Sequence, residues 1–578
     1  MIMSNRNSHI INHTLRVFLT ASILAGIVIQ LNSAIDSIVV GQQIGADSIS
    51  VVALAMPIVN LLMLPSVMLM MGTSVLIAPA LGNQDYGRSD KLVTLGTFCF
   101  LVLNIVLLIL LTLFTERISL MITDDPRLTP MLQKYLPYAF AGSIFAMLAN
   151  CWSQLVKICG QPRLVSVFVI VFIICNLVFD VLMVWGFGVG IRGIALGSSV
   201  AAVIAFLVMV PFLRRQPKPF RLVMPRGSEF RTLMGETLRT GLPAIFAGIS
   251  SVILTLGLNT IVLRTMGADG MFPLSICMQL FMIAMLLYTG IGTCVTGIGG
   301  IMLGEHDYDG ITRLIKSTLW TVLIGSLAVM VVLIVIPGPI AGLFGADEQF
   351  RALSIVPIRV FSFLLIPAGV IMVLANAFLL LGYNKLAGLV QALILFFILP
   401  LAIILPSFNV DWLWYALPVG MTAAMIVGIV AWVYVYRKWD RADAGGLVVS
   451  VNYTQESVTE NLGILTAHVK GLDLNVEIEL SVSHCIEEIL LHELEMARQC
   501  GLSGCFDLCV TCSEDRLTII VKAIGKAYNP LVEYHTVTAG QEPDNLQLSM
   551  MIVEGFCRSI DYRYRNGVNS LYLNYPLK

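Results

Sequence analysis

The sequence predicts an all-α polytopic membrane protein of twelve transmembrane helices, arranged as two six-helix repeats and followed by a small α+β soluble domain. Three observations predict it. The 578-residue chain is 57% hydrophobic and only 12% charged, roughly half the charged fraction of an ordinary soluble protein. Apolar runs of spanning length recur twelve times, and motifs of the first half return in the second at an offset of 220–222 residues. A mean hydropathy of +0.87 excludes a soluble enzyme, a disordered chain and a nucleic-acid binder. With a net charge of −1, no global field recruits polyanions.

A spanning helix needs about 20 apolar residues. The runs lie near 15–40, 50–82, 93–115, 132–156, 164–189, 193–213, 241–263, 271–303, 317–343, 353–381, 386–406 and 412–436. An even number returns both termini to one side. With that side cytoplasmic, inside segments hold 19 of the 26 Lys and Arg residues of 1–445, as the positive-inside rule requires. The richest loop joins spans six and seven and carries Arg214, Arg215, Lys218, Arg221, Arg226, Arg231 and Arg239. It reads as a topology signal. The first run shows no small-residue cleavage motif of a signal peptide.

The repeat is written in short motifs. Gly72-Thr73 returns as Gly292-Thr293, and Gly45-Ala-Asp47 as Gly267-Ala-Asp269. Gly82-Asn-Gln-Asp85-Tyr86 returns as Gly304-Glu-His-Asp307-Tyr308, and Gly160-Gln-Pro-Arg163-Leu164 as Gly382-Tyr-Asn-Lys385-Leu386. A six-span unit keeps its orientation when repeated, so the halves are related by an axis along the membrane normal. Paired halves of this kind place a substrate site near the midplane and work by alternating access. The expected division is an N-terminal lobe 1–215, a basic linker 216–240, a C-terminal lobe 241–440 and a soluble domain 446–578.

The soluble tail is acidic, with 9 Lys and Arg against 17 Asp and Glu, and is long enough to bury a core. Residues 475–500 form an amphipathic helix closing at Gly501. Alternation marks strands at Phe506–Cys512, Leu517–Lys522 and Ser570–Tyr575. Cys509 and Cys512 fall in one of them and face opposite sides, which suits packing rather than metal binding.

Charges in a helix centre cost about 2.5–3.5 kcal/mol. The carboxylates well inside spans are Asp36 and Asp180, with no Lys or Arg nearby in sequence. Asn176 lies one turn before Asp180 on the same helix face, as Asn32 does before Asp36. Burial without a basic partner raises a carboxylate pKa, which suits such a group to carry a proton. Amide and hydroxyl oxygens at helical spacing can also complete a cage for Na⁺. The second half offers Leu258 or Asn259, Ile398 and Ala402 at these places, so ion coupling is expected in the N-terminal half alone. Met63 in span 2, with Met278, Gln279 and Met282 in the repeat-related span 8, are candidate cavity residues, since flexible thioethers adapt to varied apolar ligands.

Asp36-Ser-Ile-Val-Val-Gly-Gln-Gln-Ile-Gly45 followed by Met56-Pro57, Gly72-Thr-Ser through Ala80-Leu-Gly82, and Asn176-Leu-Val-Phe-Asp180 through Gly186-Phe-Gly-Val-Gly190-Ile-Arg-Gly193 resemble the motifs of the multidrug and toxic-compound extrusion (MATE) family over residues 14–437. The resemblance implies a secondary antiporter, not an enzyme. It would export organic, often cationic or amphipathic, compounds in exchange for H⁺ or Na⁺ from a bacterial inner membrane, with no organic cofactor. The family's cation site maps onto Asp36, Asn176 and Asp180, and a helix-6 hydroxyl onto Ser198 or Ser199. The frequent family proline of helix 1 is Ala21 here, while its repeat partner Pro243 is present.

Three tail segments resemble the kinase-type ATPase domain of anti-sigma factors: Glu487-Glu-Ile-Leu-Leu-His492, Gly525-Lys-Ala-Tyr-Asn529-Pro530-Leu, and Met551–Tyr562 with Arg565-Asn-Gly567-Val-Asn569. The ATP chemistry reads as eroded. The family's Mg²⁺-binding Asn falls on His492, its adenine-binding Asp on Ala523, and its glycine-rich lid on Gln547-Leu-Ser549. The tail is then an interaction module whose expected partner is a cytoplasmic protein. Two rival readings of the whole chain are a flippase for lipid-linked intermediates and a transporter-derived sensor signalling through the tail.

Overall fold

The computed structural model describes residues 9–23, 46–122, 126–159, 161–183, 191–214, 221–344, 348–438, 446–472, 474–500, 504–512, 516–531 and 545–577. Its membrane part runs through α1 (9–23), α2 (Ala46–Gly82), α3 (Tyr86–Ile122), α4 (Leu128–Ile158), α5 (Pro162–Val181) and α6 (Ile191–Arg214). A continuous run Ser228–Gly304 is broken at Gly267, with φ 68° and ψ −159°, into α7 (Ser228–Gly267) and α8 (Asp269–Gly304). Then follow α9 (Tyr308–Val335), the short α10 (Pro337–Leu343), α11 (Glu348–Ser362), α12 (Leu365–Leu380), α13 (Asn384–Ile404) and α14 (Ala416–Lys438).

Nine helices among the described residues are long and apolar enough to cross a membrane. Two shorter apolar helices, Leu164–Phe179 and Leu196–Val208, stand where the fifth and sixth spans are expected, and α1 where the first begins. Several helices overrun their apolar runs. α3 starts at Tyr86 and α9 at Tyr308, each with a polar first turn, because helical hydrogen bonding continues past the hydrocarbon wherever side chains can be solvated.

The repeat is visible in backbone detail. Gln84 and His306, equivalent in the two halves, both have positive φ, 58° and 57°. Asp85 N–H donates to the Ala80 carbonyl at 2.9 Å, and Asp307 N–H to the Met302 carbonyl at 2.8 Å. Each aspartate then caps the next helix, Asp85 accepting from Arg88 N–H and Asp307 from Gly310 N–H, as short acceptors at helix starts do. Buried polar pairs repeat as well. Ser66 donates to Asn104 Oδ1 at 3.0 Å, and the Tyr288 and Ser326 hydroxyls meet at 2.9 Å.

The tail is a five-stranded antiparallel sheet of order β1-β2-β3-β5-β4, comprising β1 (Leu447–Asn452), β2 (Cys505–Cys512), β3 (Arg516–Ile524), β4 (Ser559–Arg565) and β5 (Val568–Pro576). Helices α15 (Gln455–Lys470), α16 (Val476–Cys500) and α17 (Asn545–Phe556) cover one face. There Val458, Leu465, Ile486, Leu490 and Val553 pack on Val449, Leu508, Ile519 and Leu573. The expected helix and three strands are present. β1, α15, α17 and β4 are additional. The other sheet face is also buried, at Val448, Cys509, Ile520 and Tyr572. An antiparallel sheet usually leaves one face to water; here the membrane part covers it.

Candidate functional site

The two halves meet along α1, α2, α7 and α8. α2 and α7 lie against each other at backbone distance: a Cβ added to Gly241 would lie 1.9 Å from the Met68 carbonyl oxygen. In the repeat the same positions are Leu19 and Gly290, where a Cβ added to Gly290 would lie 3.7 Å from Leu19 Cδ1. At the end nearest the tail, α2 and α8 touch directly. A Cβ on Gly82 would fall 2.1 Å from the Ile301 carbonyl oxygen, and one on Gly304 2.1 Å from the Pro79 carbonyl oxygen. Pro79 and Ile301 are repeat partners, so these two contacts exchange under the internal two-fold. The axis passes between them, and only glycine permits so close an approach.

Toward the other end of the same helices, repeat-related positions are exposed: Pro57 and Asn60 on α2, Gln279 and Met282 on α8. Met282 is 55% exposed. The candidate cavity residues thus separate. Gln279 and Met282 lie on an open face, Met278 is half-buried against the C-terminal core, and Met63 is buried among Val59, Met70, Phe100 and Phe140.

In the N-terminal half, Asn176 is fully buried on α5, one turn before Asp180 in the same helix. α5 packs against α6, which carries half-buried Ser198 and buried Ser199. Asp36 lies outside the described residues, as does the side chain of Asp180. At the equivalent places in the C-terminal half, Ile398 and Ala402 are fully buried in the apolar core.

Lys157 has no counterpart among the residues singled out from sequence. It ends α4, is 3% exposed, and its Nζ donates to Ser22 Oγ of α1 at 3.4 Å. Fully buried Cys294 of α8 is near enough for electrostatic interaction with it, which puts the lysine at the junction of the halves. Its position in an otherwise apolar helix end was the only sequence signal.

The tail rests on the same junction. Tyr86 donates to Asp561 at 2.6 Å, and the Arg563 guanidinium lies 4.2 Å from the Tyr86 ring centroid. Arg516 donates to the Asn83 carbonyl at 2.8 Å, and Asn574 to Gln84 at 3.0 Å. On the equivalent loop, Lys522 Nζ and Tyr572 OH each donate to Glu305 at 2.6 Å. Burial lowers Arg563 to about 9, with Arg565 adding to the effect. Burial and the Glu305 carboxylate push Tyr572 above its usual range. Burial, and secondarily Arg516, lowers His306.

The profile of the MatE family matches residues 21–182 and again 243–406, two stretches at the offset of the internal motifs. The multidrug export protein MepA of Staphylococcus haemolyticus is 22% identical over 315 residues, covering 53% of this chain and 67% of the relative. MepA of Staphylococcus saprophyticus is 22% identical over 212 residues, 36% of this chain and 47% of the relative, so the chain spans about half the length of that protein. An outward-facing structure of a multidrug-resistance MATE transporter of the MOP superfamily superposes with a TM-score of 0.68 at 18% identity, over 74% of this chain and 96% of that one. This last likeness is one of fold.

Proposed function

The chain belongs to the MatE family, whose members are transporters and not enzymes, and from that premise we propose an ion-coupled exporter of organic compounds working by alternating access. The observation that carries the reading is the junction of the halves. Two-fold-related contacts close it at the tail end, while repeat-related residues of α2 and α8 are exposed toward the other end. A seam closed at one end, with exposed repeat-related positions toward the other, fits one of the two states such a mechanism needs.

The coupling ion, H⁺ or Na⁺, loads at Asp36, Asn176 and Asp180, with Ser198 or Ser199 contributing a hydroxyl. Burial of Asn176 at the packed α5–α6 pair supports this. The substrates are organic cations or amphipathic compounds, taken up against the exposed faces around Gln279 and Met282. The termini and tail face the cytoplasm of a bacterial inner membrane, on the Lys and Arg distribution.

We read the tail as a kinase-type ATPase fold that has lost its nucleotide chemistry. His492 is buried, with its ring 6.5 Å from that of Tyr528 and nearly parallel. Asn569 pins the neighbouring loop by accepting from Tyr528 N–H and donating to the Lys526 carbonyl. Ala523 is part of the sheet core.

Uptake of a fluorescent organic cation into inverted vesicles, with proton and sodium gradients imposed separately, tests the function. Uptake driven by one gradient and lost in Asp180→Asn is expected. Uptake that ignores both gradients would overturn ion coupling and favour the flippase reading.

A further inference from the structure

We propose that the tail is a latch that holds the nearby gate between the two halves shut, so that turnover requires its release. The inference rests on the alternating-access reading and adds regulation to it.

Three observations converge. First, the gate lies under the tail. Gly82 against Ile301, Gly304 against Pro79 and Gly300 against Ala78 hold α2 to α8 at that end, and they must part for the cavity to open there. Second, the tail holds both loops that immediately follow these glycines. Asn83, Gln84 and Tyr86 of one loop are bonded to Arg516, Asn574 and Asp561, and Glu305 of the other to Lys522 and Tyr572. Third, every one of these tail residues belongs to β3, β4 or β5 of one sheet. β5 pairs with both β3 and β4 along their lengths. A hydrogen-bonded sheet does not stretch, so it opposes separation of the loops it bridges.

The two grips differ in kind. On the Asn83–Tyr86 side, neutral loop groups meet Arg516, Asn574 and Asp561 in a partly exposed setting. The Glu305 side is a desolvated ion pair, with Lys522 11% and Glu305 1% exposed. Asp307 lies 3.9 Å from Lys522. Pulling the tail away leaves Glu305 to be rehydrated or unpaired, and breaking one partner of a buried pair is strongly unfavourable. Lys522 is therefore the residue whose loss releases the latch. The surrounding apolar cluster of Val448, Cys509, Ile520 and Tyr572 explains why this sheet face carries Ile and Val where water would otherwise meet it.

Cys294 of α8, fully buried near Lys157 of the N-terminal half, reports the gate. In the full chain with the other cysteines replaced, labelling of Cys294 by a water-soluble maleimide should quicken about tenfold in Lys522→Glu. The reversed pair Glu305→Lys/Lys522→Glu should slow it again. Arg516→Ala should act in the same direction with a smaller change, which covers a failure of the first variant to fold. Hydrogen exchange at residues 83–86 reports whether the tail has left. A labelling rate unchanged in Lys522→Glu, with the tail docked or released, overturns the latch, as does a reversed pair that labels as fast as the single variant. Faster labelling without uptake of any organic cation upholds the latch and removes the transport reading instead.

Discussion

The two halves of the membrane part share a geometry and differ in chemistry. Gln84 and His306 adopt the same left-handed backbone, Asp85 and Asp307 cap equivalent helices, and Gly82 and Gly304 make reciprocal contacts. Yet where the first half buries Asn176 one turn from Asp180, the second buries Ile398 and Ala402. A repeat preserves what both halves need to pack against each other, because each contact appears twice under the two-fold. It is free to drop what only one half needs. The packing of the gate is thus a symmetric property of this protein, and the proposed ion loading an asymmetric one.

The sharpest break of this contrast is removal of the acid. Asp180→Asn should reduce gradient-driven efflux to the vesicle background, with the protein still inserted. Asn259→Ala, beside the place in the other half that corresponds to Asp36, should leave efflux within about twofold of wild type. Comparable losses in both would show that coupling is not confined to one half.

Symmetry of the gate is tested next. Gly82→Val and Gly304→Val each place a side chain on a facing carbonyl, so each should slow efflux by about tenfold or more by disfavouring the closed state. The two losses should agree closely. A large loss in one alone would show that the gate is not two-fold in function.

The tail has no repeat partner, and its own titration must be separated from that of the N-terminal acids. Burial raises Glu493 from 4.5 to about 7. The folded tail then keeps this proton while the unfolded chain gives it up, so tail stability falls as pH rises from about 4.5 and levels off above about 7. The span corresponds to roughly 3 kcal/mol. Thermal unfolding of the tail within the full chain should show this slope, and Glu493→Gln should flatten it. A pH response of efflux that survives in Glu493→Gln then belongs to the membrane acids.

The smallest effects concern the repeat-related polar pairs. Tyr288 donates to the Leu365 carbonyl at 2.8 Å as well as meeting Ser326, whereas Ser66 donates to Asn104. Tyr288→Phe should cost about 1–2 kcal/mol in detergent unfolding and Ser66→Ala about 1 kcal/mol. Equal costs would mean that the carbonyl bond contributes nothing.

Much of this was legible in the chain itself. Apolar runs dictate spanning helices because backbone groups in lipid have no other partners. Motifs at a fixed offset dictate a repeat, and an acid in an apolar span without a basic neighbour is the reason an ion site is proposed there, because such a group is costly to insert. Strand alternation located three strands of the tail, and Gly82 and Gly304 were visible as repeat partners.

Their meeting was not legible, nor was that of the tail with the loops beside them. Sequence shows that Gly82 and Gly304 are equivalent, but equivalence says nothing about distance, and it took the crossing of α2 and α8 to set each against the other's helix. Lys522 reads as a solvent-facing strand lysine until the sheet is laid on Glu305, 217 residues away. Local pattern determines which face of an element is apolar, because that depends on periodicity alone. Only the tertiary structure decides which two faces meet, because that depends on the shape of everything packed between them.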